Sequence, residues 1–118
     1  MPPVSARFVF ALRVIARHDR AAQDPFPFLA VRLGSLTVAS LAIEFAQLCS
    51  RCWPEPIRVG APCCQMLGYD ETTLARMVAA ASLCDRDEFS AEIDGLVRYD
   101  RHERLWQAAV RLAGADMA

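Results

Sequence analysis

Apolar residues recur along this chain at intervals of three and four, separated by prolines, glycines and acidic residues, and that period belongs to amphipathic helices. Phe8, Leu12 and Ile15 mark the first, from Ser5 to Arg20, with Arg13, Arg17 and Arg20 as a narrow stripe on another face that reads as solvated. Phe10 and Val14 fall outside its main apolar arc, so this helix is expected to be covered on more than one side. Asp24-Pro25-Phe26-Pro27 then interrupts, because each proline removes a backbone donor and restrains the residue before it.

A second, longer helix is predicted from Phe28 to about Cys52, where the only charges are Arg32, Glu44 and Arg51. Ser35, Ala39, Ala42 and Ala46 form a strip of small residues along it, which permits close approach of a neighbouring helix and makes them candidate interface positions. Leu33 to Ser50 is eighteen residues with one charge, long enough to raise the question of a membrane span. Glu44 near the middle, with Ser35, Thr37, Ser40 and Gln47, is a costly set to place in lipid, so the segment reads as a buried helix of a water-soluble bundle. Glu44 itself is expected at the polar edge beside Thr37, Gln47 and Arg51, the alternative being burial against an arginine of another helix.

Trp53 to Pro62 carries three prolines and can only be an extended connection, with Ile57-Arg58-Val59 as a very short strand or an apolar clip over the core. The third helix starts near Asp70, taken as its N-cap, and repeats Leu74, Met77, Val78, Ala81 and Cys84 on one face. Asp85 with Glu88 resembles a capping box ahead of Phe89, Ile93, Leu96 and Val97. Asp100 with Glu103 does the same for a last helix bearing Leu105, Trp106, Ala109, Leu112 and Ala113. The expectation is an all-α, single-domain bundle of about five helices over residues 1–118, with the proline-rich connection between helices 2 and 3.

Composition narrows the function. With 54% apolar residues, 118 residues can bury a core without disulfides or metals, and the apolar fraction exceeds what one small body readily covers. The net charge of −1 is interspersed, so no nucleic-acid footprint is visible. All thirteen basic residues are arginine, which excludes a lysine nucleophile and reads as the bias of a GC-rich bacterial genome. Arg13 interrupts the apolar stretch from Phe8 to Ala16 and no cleavage pattern follows, so a cytoplasmic location with reduced cysteines is expected.

Chemistry concentrates in the cysteines. Cys49-x2-Cys52 and Cys63-Cys64 lie within sixteen positions on either side of the proline-rich connection. Four converging thiolates could hold zinc or an iron–sulfur cluster, but adjacent residues in extended backbone point to opposite sides, so Cys63 and Cys64 face one ion only if their turn is tight. Redox C-x-x-C motifs place the first cysteine at a helix N-terminus, whereas Cys49 and Cys52 close a helix. Cys49, Cys52 and Cys84 therefore read as apolar fillers, and the Cys63-Cys64 pair as the best candidate for function. His18 and His102 read as surface or capping residues.

The run Ala6-Arg7-Phe8-Val9-Phe10-Ala11-Leu12-Arg13, an apolar second helix, Arg58-Val59-Gly60-Ala61-Pro62-Cys63-Cys64-Gln65-Met66 and Asp70-Glu71 together resemble a group of short alphaproteobacterial helical proteins with an Ala-Pro-Cys-Cys segment. The resemblance covers about residues 6 to 84, implies a bacterial cytoplasmic helical protein matching at Cys63 and Cys64, and brings no activity with it. A third cysteine often follows in that group, where this chain has Gln65, and a C-x2-C at the end of the second helix is not one of its features. The functional expectation is a non-catalytic module that binds a protein partner or self-associates, needs no cofactor and meets neither nucleic acid nor membrane. The alternative is a metal-binding or thiol-redox protein centred on Cys63 and Cys64 with Cys49 and Cys52 as co-ligands.

Overall fold

The computed structural model describes residues 1–117, and among them every regular element is helical. Six α-helices follow in order: α1 (Pro3–Arg20), α2 (Phe26–Leu33), α3 (Leu36–Cys52), α4 (Tyr69–Ser82), α5 (Arg86–Ile93) and α6 (His102–Met117), the last preceded by a 3-10 turn at Tyr99–Arg101. None is long and apolar enough to cross a membrane.

The predicted second helix is two helices. Gly34 takes the left-handed conformation at φ +73° and closes α2, and Ser35 is extended and caps α3 by accepting a 3.1 Å hydrogen bond from the Val38 amide. A glycine stop followed directly by a serine start overrides the continuous apolar run, because each satisfies backbone groups that a merged helix would have satisfied internally. Ser35 is thus a cap.

Two expected caps are also reassigned. Gly68 precedes α4, and Glu71 at the third helical position accepts the Gly68 N–H at 2.9 Å, the return half of a capping box. Asp70 instead accepts the Arg58 N–H at 2.9 Å and tethers the extended segment. Before α6, Asp100 lies within the 3-10 turn and pairs with Arg98 at 3.1 Å, while Glu103 meets Gln107 and Arg86. Asp85 does cap α5, accepting from the Glu88 amide at 3.1 Å.

α1 touches α2, α3, α4 and α6, which explains its broad apolar arc. Phe8 of α1 meets Phe45 of α3 with ring centroids 5.1 Å apart, and Phe89 of α5 meets Trp106 of α6 edge-on at 5.2 Å. Ala39, Ala42 and Ala46 are buried within this body, where α3 lies against α1 and α6. Their small side chains therefore serve close packing inside the chain. The buried Ser5 hydroxyl donates to the Ala75 carbonyl at 2.7 Å and links α1 to α4. Residues 53–68 run without helix between α3 and α4, and Ile57 and Val59 are half-buried against the core as an apolar clip.

A candidate functional site: a thiol-bearing loop on a buried ion pair

The loop that carries Cys63 and Cys64 is held from beneath by Arg13. This residue sits mid-way along α1 and is 6% exposed, so it is no member of a solvated stripe; Arg17 and Arg20, one and two turns on, are exposed. Its Nε donates to Glu71 Oε2 at 2.6 Å and its Nη2 to Glu71 Oε1 at 3.0 Å, a bidentate pair with a carboxylate that is itself 1% exposed. The remaining donors go to the loop: Nη1 to the Cys64 carbonyl, and Nη2 to the Met66 carbonyl at 2.9 Å. Glu71 completes its own shell with the amides of Gly60 at 3.2 Å and Gly68 at 2.9 Å.

Two buried charges are costly unless paired and fully hydrogen-bonded, and here every contact that satisfies them beyond the pair itself also fixes the loop. The hydrogen bonds from Arg13 hold the Glu71 carboxyl below the usual glutamate range, with the Gly68 and Gly60 amides adding to the effect and burial opposing it. Glu71 in turn raises the Arg13 pKa. Gly60 packs directly against the pair: a Cβ there would lie 3.3 Å from Arg13 Nη2.

Above this clamp the Cys64 N–H returns to the Ala61 carbonyl at 2.9 Å, closing a tight turn across Pro62 and Cys63. Cys63, Cys64 and Met66 are all exposed, and the Cys64 thiol donates to the Met66 carbonyl at 3.4 Å. Arg17 and Arg20 line an open cleft together with Ala21, Ala61, Pro62 and Cys63.

The other cysteines lie elsewhere in character. Cys49 is fully buried, and burial first, then Cys52, pushes its thiol well above the ordinary range, so it is an inert filler. Cys52 is half-buried at the end of α3. Cys84 is exposed rather than packed: it adopts φ +55° just beyond α4, where its N–H and that of Asp85 return to the carbonyls of Ala81 and Ala80. All five cysteines are free, and among the described residues no three His, Cys, Asp or Glu side chains are gathered as a metal-holding group. The fold thus brings Cys63 and Cys64 together on one turn and does not join Cys49 and Cys52 to them as a four-thiolate set.

Each histidine ring meets a backbone carbonyl. His18 Nδ1 lies 2.9 Å from the Val14 carbonyl beside Phe28. His102 is buried, not at the surface, with Nε2 2.9 Å from the Val97 carbonyl. Glu44 is exposed at the polar edge of α3, and its partner there is Arg111 of α6 at 3.4 Å.

Sequence reasoning passes over Arg13, Glu71 and Met66. Arg13 stands between Leu12 and Val14 on a helix whose apolar arc is unusually wide, and Glu71 occupies the capping-box position after Gly68, signals that mark each residue singly but not their pairing. Comparison with protein-family models, curated proteins and solved structures finds no match.

Proposed function

We propose that this chain is a non-catalytic helical interaction module whose contact element is the clamped loop at residues 60–68 with Tyr69 at the start of α4. The observation that supports it is the division of labour around Arg13: the loop's backbone is tied to buried charges while Cys63, Cys64, Met66 and Tyr69 remain exposed, the last two at 80% and 84%. A preordered loop loses little conformational entropy on docking, and exposed Met and Tyr are side chains that supply contact area to a protein partner. Self-association is the form we favour, since the apolar fraction of the chain calls for additional cover.

Sedimentation velocity over a wide concentration range tests this. The wild-type chain associates as concentration rises, and a Met66→Asp, Tyr69→Asp variant with unchanged far-ultraviolet circular dichroism stays monomeric. A wild-type chain that is monomeric throughout overturns self-association through this loop.

A second reading, thiol chemistry at Cys63 and Cys64, is favoured by a separate observation. The turn that brings the Cys64 amide to the Ala61 carbonyl is tight, which is the condition for adjacent side chains to act together. The alphaproteobacterial resemblance, extended to this chain as part of the same proposal, converges on those two positions.

A further inference from the structure

We infer that Cys63, Cys64 and Met66 form a three-sulfur site for a soft monovalent metal ion, copper(I). This rests on the thiol reading of the loop and goes beyond it by naming the ligand and adding a third donor. Two thiols and a thioether fall within four residues, all exposed on the fold's clamped connection. Thiolate and thioether sulfur select copper(I) over harder divalent ions, and a low-coordinate ion needs no fourth ligand from Cys49 or Cys52.

Arg13 makes the donor set more than a cluster in sequence. One guanidinium holds the carbonyls of Cys64 and Met66, so the backbones bearing two of the three sulfurs share a common anchor. The turn from Ala61 to Cys64 sets the third. Preorganisation of this kind removes much of the ordering cost that a flexible loop would bear on metal binding. The Cys64 thiol points back toward Met66, whose carbonyl it meets at 3.4 Å. Arg17 and Arg20 share a cleft with Cys63, and their charge favours the net negative complex that two thiolates make with a monovalent cation. Each thiol that binds releases its proton to solvent.

The test is anaerobic titration of the reduced full chain with copper(I) against bicinchoninate, with iodoacetamide labelling and circular dichroism on the same samples. One equivalent bound per chain is expected. Cys63→Ser or Cys64→Ser should abolish it, Met66→Leu should weaken it by roughly 10- to 100-fold, and Cys52→Ser and Cys84→Ser should leave it unchanged. Labelling of Cys63 and Cys64 without copper uptake overturns the copper site while leaving the thiol reading intact. Thiols that resist labelling overturn both, and uptake indifferent to Met66→Leu overturns the three-sulfur set.

Discussion

Glu71 is the residue on which most of the candidate site depends. Its carboxylate accepts from Arg13 at two atoms and from the amides of Gly60 and Gly68, so its ionised form is favoured in the fold and its pKa lies below the ordinary 4.5. A carboxylate shifted down contributes stability in full above its unfolded value and loses it as pH falls through the lower folded value. Glu92 acts in the opposite sense, because burial raises its pKa and its ionisation costs stability as pH rises. Glu71→Gln, which leaves the Arg13 charge without a carboxylate, should cost about 3–5 kcal/mol at neutral pH. Urea unfolding of both proteins from about pH 7 down to about pH 3 checks this, and the gap between them should narrow as pH falls below the unfolded value. Cys84 offers a simpler case. It is exposed at φ +55°, a conformation that costs a residue with a Cβ about 1–2 kcal/mol. Cys84→Gly relieves that cost but adds chain entropy to the unfolded state, so a net gain of about 0.5–1 kcal/mol is expected in the same assay.

Among the elements, the connection from Trp53 to Gly68 is the one whose shape is least its own. It has no helix or strand, and its order comes from Asp70 on the Arg58 amide, Glu71 on the Gly60 and Gly68 amides, and Arg13 on the Cys64 and Met66 carbonyls. Gly60 is packed against the guanidinium, which is held by four contacts and cannot yield, so Gly60→Ala should cost about 1–3 kcal/mol by crowding. Hydrogen exchange should report faster exchange at Cys64 and Gly68 in that variant, with α3 and α6 unaffected. Protection that spreads its loss evenly over all helices would mean the loop is not a separate unit.

For the molecule as a whole, the alanines of α3 set how closely the helices approach. Ala42 is 1% exposed and lines a recess of only about 10 Å³ between α1, α2, α3 and α6. Ala42→Leu has no room and should cost about 1–3 kcal/mol by forcing α3 away from its neighbours, whereas the same change at the exposed Ser40 should be nearly neutral. Thermal unfolding of the two variants provides the comparison. If both are neutral, α3 is not seated in the core as described.

Helical periodicity alone determined that this chain is all-α, where α1, α4, α5 and α6 lie to within a few residues, and most of the positions they bury, Arg13 and Cys84 being exceptions. Those signals are local, spanning a turn or two, and Asp85 with Glu88 was readable for the same reason. The break at Gly34-Ser35 was written in equally local residues but masked by the apolar run on either side. The tertiary structure alone decided that Arg13 is buried, that Glu71 is its partner across 58 positions, and that Cys63, Cys64 and Met66 are displayed on a fixed turn. An arginine on a helix carries no mark of its counter-charge, because pairing depends on how helices cross and not on spacing along one of them.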